Sequence, residues 1–138
     1  MKPTYTHTEH GITICTLRDK NNNVVYGYAN LHPEESNASD RVGEYIATIR
    51  AEIEYYKLIR RTELAPQIKI LNHLLNCIAN TNSKEYRTDS PEASLIRRQY
   101  WMAKEDYTAV GELIQELETA LKDYINVRDK ITGQNKEN

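Results

Sequence analysis

The sequence predicts an α+β fold in which an N-terminal antiparallel β-hairpin or small sheet packs on two long C-terminal helical segments. Apolar residues alternate with a period of two up to residue 31, and they recur every three to four residues in most of the chain beyond residue 39. Polar and turn-forming residues cluster where the pattern changes. The helical part is the longer one, so we expect a helix-dominated fold and, from 138 residues, a single domain over 1–138.

The first part of the chain, 4–31, is predicted to form the β-hairpin layer. Two runs, 12–17 and 24–31, are rich in β-branched and aromatic residues with alternating polarity. Between them, 19–23 reads Asp-Lys-Asn-Asn-Asn, and Asn and Asp favour tight turns because they tolerate positive φ. We therefore expect a hairpin, with a third strand over 4–8.

The second strand of this hairpin has two different faces. Val25, Gly27 and Ala29 share one face, which is small and apolar. We expect a helix to pack there, because a glycine lets another backbone approach closely. Tyr26 and Tyr28 lie on the other face, which is left to solvent, a partner chain or a ligand.

The next part of the chain, 39–80, is predicted to be a kinked helical region. Ser39 is a favourable N-cap, and an apolar stripe with helical spacing follows it. Pro66 lacks a backbone donor and clashes with the carbonyl four residues before it, which predicts a kink or break near Thr62.

A polar loop over 81–90 and a long helix over 91–131 complete the predicted fold. Ser90 and Pro91 are typical of an N-cap followed by a first helical residue. Apolar residues then recur at helical spacing in a heptad-like stripe that includes Leu95 and Met102. The segment 132–138 contains glycine and polar residues and is predicted to be a disordered tail.

Composition excludes several classes of partner and suggests others. A net charge of −2 provides no general basic field for a nucleic acid polymer or an anionic membrane, and no segment is apolar enough to span a bilayer. Cys15 and Cys77 lie in apolar patterns and predict buried free thiols in a reducing cytoplasm. Because only 39% of the residues are apolar, we expect a thin core and a homo-oligomer.

Catalytic and metal sites are not predicted, so we expect a protein that is not an enzyme and needs no cofactor. The chain contains no nucleophile elbow, no glycine-rich phosphate loop and no HExxH motif. Its four histidines lack the three or four converging ligands that a zinc ion requires.

Arginine and tyrosine residues near the predicted loop form the candidate ligand site. A guanidinium fork binds phosphate oxygens in a bidentate manner, and an aromatic ring stacks on a base, so the two together suit a nucleotide. The alternative, which spacing alone favours, is a solvated helix face with ion pairs inside the helix. The candidate residues are Arg60, Tyr86, Arg87, Arg97, Arg98 and Tyr100.

One stretch of the chain resembles a known family. A strand ending in G-x-A is followed by a Pro-acid-acid turn and then by a helix reading G-x-x-I-A-x-x-R-A-x-I-x-x-x-K, over roughly residues 24 to 57. This pattern is similar to that of the first family of Thoeris anti-defence proteins of phages. The residues that carry it are Gly27, Ala29, Pro33, Glu34, Glu35, Gly43, Ile46, Ala47, Arg50, Ala51, Ile53 and Lys57.

The resemblance implies a function as a phage anti-defence protein. Members of that family act as sponges: they bind a cyclic nucleotide immune signal of the cyclic ADP-ribose type and sequester it without cleaving it. The expected partners are therefore that signalling molecule and other copies of the chain, in a dimer or hexamer, in the host cell cytoplasm. The alternative is a homo-oligomeric helical structural or interaction protein with no small-molecule ligand, favoured by the length and heptad-like stripe of the last helix.

Overall fold

The computed structural model describes residues 1–30, 40–80 and 90–137, with side chains up to residue 128. It confirms the α+β, helix-dominated fold class. The chain divides into two compact units, Met1–Tyr56 with Ile114–Asn138 and Lys57–Leu113. The elements are strands β1 (Thr4–His7), β2 (Ile12–Arg18) and β3 (Val24–Asn30), helix α1 (Asp40–Ile59), a π-helical segment (Arg60–Leu64), and helices α2 (Ala65–Ala79) and α3 (Pro91–Glu137).

The three strands form an antiparallel sheet in the order β1-β2-β3. The predicted third strand is therefore present, and it pairs with β2 through the register Tyr5 to Cys15. Cys15 also pairs with Gly27 of β3. Its side chain is fully buried, and burial raises the pKa of this thiol. The thiol therefore stays protonated at neutral pH and serves as a small apolar core group.

The turn between β2 and β3 is organised by the Asp19 carboxylate. The backbone N–H groups of Asn21 and Asn23 each donate to its Oδ1 at 2.9 Å, and the Asn23 amide and the Tyr55 hydroxyl donate to its Oδ2. Asn22 has a φ of 63°, the left-handed conformation expected of asparagine in a turn. These donors, the Asn23 side chain first among them, lower the pKa of Asp19 despite partial desolvation.

Asp19 should make the stability of the hairpin sensitive to acid. Because its folded pKa is lower than its unfolded pKa of about 4, its contribution is complete above that value and is lost as pH falls through the folded pKa. We expect Asp19→Asn to lower the unfolding midpoint at neutral pH and to flatten its decline below about pH 4. Thermal unfolding of both proteins across this range measures the effect. Equal slopes in the two proteins would contradict it.

Strand β3 packs on α1 through its small face, as predicted. Val25, Gly27 and Ala29 are buried, whereas the side chains of Tyr26 and Tyr28 are 50% and 53% exposed. A Cβ added to Gly27 would overlap the backbone of α1, at the carbonyl oxygen of Ala47 and the backbone nitrogen of Ala51. Helix and strand are therefore in direct backbone contact at this point. The larger buried apolar side chains that complete the core of this unit include Leu17, Ile46, Ile49, Ile53 and Ile114.

The regular α-helical hydrogen bonding stops at the π-helical segment, which contains Thr62, where the sequence predicts a kink or break. The N–H of Ala65 donates to the carbonyl of Arg60, five residues earlier. Pro66 follows directly and has no backbone N–H, so it cannot donate to the carbonyl of Thr62 as an α-helical residue would. The hydrogen-bond pattern therefore changes at the position where this bond is missing. The Thr62 hydroxyl donates to the carbonyl of Leu58 at 2.7 Å.

Helix α3 begins as the sequence predicts and continues beyond its predicted end. The N–H of Ala93 donates to the hydroxyl of Ser90 at 3.1 Å, which makes Ser90 an N-cap, and Pro91 is the first helical residue. The helix extends to Glu137, through most of the predicted tail, because one internal glycine costs only about 1 kcal/mol and need not end a helix. Ser39 and residues 81–89 of the predicted loop lie outside the described residues.

Three apolar side chains are more exposed to solvent than the sequence patterns predict. Leu95 and Met102 of the α3 stripe are each 56% exposed, since the buried side of this helix carries the smaller Ala93 and Ala103. Cys77 is exposed, so the prediction that both thiols are buried is wrong for this one. Its sulfur lies 3.6 Å from Nε2 of His73 on an exposed side of α2. None of the described helices combines the length and the apolar character needed to cross a membrane.

Candidate functional site: a groove at the free edge of the sheet

A groove of about 540 Å³ runs along the free edge of β3, next to α1. Because the strand order is β1-β2-β3, the backbone groups on one side of β3 have no partner strand among the described residues. The groove is of the size that small-molecule sites usually have, about 300–1,000 Å³. Its lining residues are Val25, Tyr26, Gly27, Tyr28, Arg50, Ile53 and Glu54.

Arg50 provides the positive charge of this edge groove. Its Nη1 donates to the carbonyl oxygen of Tyr28 at 2.7 Å, which holds the exposed guanidinium against the sheet edge. Among the described residues this is the single hydrogen bond of the Arg50 side chain, and a guanidinium has five N–H donors. Most of its donors are therefore available to an anion.

Glu54 lies one helical turn after Arg50 on α1 and is also exposed. No ion pair within 4 Å joins these two side chains in the described part of the chain. A carboxylate accepts hydrogen bonds only, so Glu54 suits hydroxyl groups rather than phosphate. The groove thus offers a donor fork and an acceptor about one turn apart.

Tyr26 and Tyr28 supply the aromatic surface beside this charge. Their cross-strand neighbours on the same face of the sheet are Thr16 and Ile14, both half-buried. Because both neighbours are smaller than a tyrosine side chain, they cover only part of each ring, and the two tyrosines remain about half exposed. A half-exposed ring can stack on a base, a contact worth about 1–3 kcal/mol.

Of the residues predicted to bind a ligand, Arg60 has a structural role. Its Nε donates to the carbonyl oxygen of Tyr107 at 3.1 Å, and its guanidinium carbon lies 3.8 Å from the centre of the Tyr107 ring. The side chain also fills the space over Gly111, where an added Cβ would lie 2.6 Å from Nη2. Arg60 therefore fastens the π-helical segment to α3.

Arg97, Arg98 and Tyr100 lie in the first turns of α3. Arg97 is half-buried and Arg98 is exposed, in agreement with neighbouring residues pointing to different sides of a helix. Tyr100 is half-buried and stacks edge-on against Trp101, with 5.7 Å between ring centres. Predicted site residues Tyr86 and Arg87 lie outside the described residues.

Sequence reasoning missed Arg50 and Glu54 as candidate binding residues. Arg50 is part of the helix pattern G-x-x-I-A-x-x-R-A, and most other positions of that pattern are buried, which is a signal that its arginine has another role. Trp101, the one tryptophan of the chain, is 60% exposed, with the ammonium of Lys104 5.6 Å from its ring centre.

The described residues contain no group of three or more His, Cys, Asp or Glu side chains placed to hold a metal ion. Comparison with protein-family models, with curated proteins and with solved structures gives no match for this chain. The chemistry of the edge groove and the sequence pattern around it are therefore the basis for a functional proposal.

Proposed function

We propose that the chain is a phage anti-defence protein that binds a cyclic nucleotide immune signal of the cyclic ADP-ribose type and sequesters it without cleaving it. The observation that supports this proposal is the edge groove, where the Arg50 guanidinium lies beside the exposed rings of Tyr26 and Tyr28. Only one of its five N–H donors is used within the described residues. A ligand with phosphates, a base and ribose hydroxyls matches the donors, rings and acceptor of the groove.

The resemblance to the first family of Thoeris anti-defence proteins covers the same part of the chain as the groove. Within roughly residues 24 to 57, Gly27 and Ala47 are accounted for by the backbone contact between β3 and α1. Arg50 is exposed and is not needed to fill the core. One of its donors holds the Tyr28 carbonyl, and in this proposal the others bind the phosphate of the ligand.

Binding in this proposal proceeds without a chemical step. Arg50 neutralises phosphate charge, Tyr28 or Tyr26 stacks on the base, and the Glu54 carboxylate accepts hydrogen bonds from ribose hydroxyls. The proposal gives these groups binding roles only, and none of them is assigned the activation of a nucleophile. The sponge acts as a homo-oligomer, a dimer or hexamer, so each assembly removes several molecules of the signal from the cytoplasm.

Recovery of the bound ligand tests this function. The protein is mixed with a substoichiometric amount of cyclic ADP-ribose or one of its isomers, filtered, and then denatured. We expect at least one isomer to be depleted from the filtrate and recovered unchanged by mass spectrometry after denaturation. Recovery of linear ADP-ribose would contradict a sponge, and filtrates that match those from a protein-free sample for every isomer would contradict binding.

A second candidate function is that of a homo-oligomeric helical structural or interaction protein with no small-molecule ligand. The observation that favours it is the number of exposed apolar side chains in the unit Lys57–Leu113. Such a protein would assemble normally but would gain no thermal stability from any nucleotide. The exposed side chains are Ile70, Leu74, Leu95, Trp101 and Met102.

A further inference from the structure

A row of exposed residues follows one side of α3 in the unit Lys57–Leu113. Leu95, Met102 and Ala109 are spaced by seven residues, so they lie on one side of the helix. Arg98 and Asp106 lie on the same side, between them. All five are exposed, and we call them the α3 seam.

The residues of the α3 seam are arranged symmetrically about Met102. Arg98 and Asp106 lie four residues before and after it, and Leu95 and Ala109 lie seven residues before and after it. Neither Arg98 nor Asp106 has an ion-pair partner among the described residues of its own chain. Each member of a symmetric pair thus complements the other, positive with negative and large with small.

This symmetry distinguishes between the two ways in which two copies of the helix could meet. In an antiparallel pair with Met102 on the two-fold axis, Arg98 of each copy faces Asp106 of the other, and Leu95 faces the small Ala109. In a parallel pair Arg98 of one copy would face Arg98 of the other, and the two positive charges would repel each other. The seam is therefore self-complementary in the antiparallel arrangement.

We propose that two copies of the chain associate through the α3 seam, antiparallel, with Met102 at the two-fold axis. The occupant of this surface is a second copy because charge and size are matched within the seam itself. An unrelated partner would need to supply the same pattern in reverse. Association through the α3 seam and ligand binding in the edge groove involve different residues. Either one can therefore be disproved while the other stands.

Disulfide crosslinking of the full-length chain locates the axis. The exposed Cys77 is first replaced by Ser, and Cys15 is kept because it is buried. Under mild oxidation, Met102→Cys should form a covalent dimer readily, whereas Thr108→Cys, exposed on another side of α3, should not. Leu95→Cys should crosslink with Ala109→Cys in a mixture but poorly with itself. Self-crosslinking of Leu95→Cys as efficient as that of Met102→Cys would overturn the antiparallel arrangement.

Charge exchange tests the same arrangement without covalent chemistry. Sedimentation velocity on the wild type should show a dimer, and Arg98→Glu or Asp106→Arg should each weaken it by about tenfold or more. The double variant Arg98→Glu, Asp106→Arg should recover the dimer, since both cross-pairs are restored. Circular dichroism verifies that all variants fold. A wild-type monomer at about 50 μM, which is above the Kd expected of a functional dimer, or no recovery in a folded double variant, would overturn the proposal.

Discussion

Replacing Gly27 with Ala is expected to unfold the protein or to lower its free energy of unfolding by more than the ~1–3 kcal/mol typical of an overpacked core. The added Cβ would overlap the carbonyl oxygen of Ala47 and lie 3.0 Å from the Cα of Ala51. Both are backbone atoms of α1, so no side-chain rotation relieves the overlap. Helix and sheet must separate, which exposes the core between them. Urea unfolding followed by circular dichroism measures the loss.

Gly111→Ala is the matched control for this substitution. The three atoms nearest to a Cβ at Gly111 all belong to the Arg60 guanidinium, the far end of a flexible side chain. Alanine also favours a helix over glycine by about 1 kcal/mol, which offsets part of the lost contact between Arg60 and Tyr107. We expect a change of less than about 1 kcal/mol in either direction. A Gly27→Ala protein as stable as Gly111→Ala would contradict the backbone contact between β3 and α1.

Arg50→Gln is expected to weaken binding of the cyclic nucleotide by about one to two decades in Kd. The substitution removes charge-assisted hydrogen bonds worth roughly 1.5–3 kcal/mol while keeping a polar, uncharged side chain with the same first two methylene groups. Tyr28→Ala should cost a comparable amount, about 1–3 kcal/mol, if that ring stacks on the base. Calorimetric titration of each variant gives the Kd.

Arg41→Gln serves as the control for the loss of charge. Arg41 is exposed on the same helix but does not line the edge groove, so its replacement should leave Kd within about twofold of the wild type, as expected of a distant surface charge. Equal losses in Arg41→Gln and Arg50→Gln would indicate a general charge effect. If Arg50→Gln and Tyr28→Ala both bind like the wild type, the ligand lies elsewhere, and Arg97→Ala and Tyr86→Ala become the variants to measure.

The fold was predictable because its signals are local. Alternation along 24–31 identified the buried face of β3, and the absence of a side chain at Gly27 indicated the close approach of α1. Pro66 identified the position at which α-helical hydrogen bonding fails. Each of these features depends on a few neighbouring residues and on steric rules that hold in any protein.

The candidate site was less predictable because it depends on contacts between distant parts of the chain. Arg50 lies 22 residues from Tyr28 in sequence, and only the packing of α1 on β3 brings its guanidinium to that carbonyl. Arg60 resembled a phosphate ligand in sequence, yet its guanidinium packs on Tyr107, 47 residues away. Side-chain partners at such separations follow from tertiary structure rather than from local pattern.

Calorimetry and thermal unfolding of the wild-type protein with a panel of ligands test the central proposal most directly. The panel comprises cyclic ADP-ribose, its isomers, cyclic oligonucleotides and, as a control, linear ADP-ribose. We expect saturable binding of at least one cyclic ADP-ribose isomer, weaker binding of the linear form, and a gain of about 4 kcal/mol in stability when the ligand exceeds its Kd a thousandfold. The absence of both heat and stabilisation with every member of the panel would contradict the proposal.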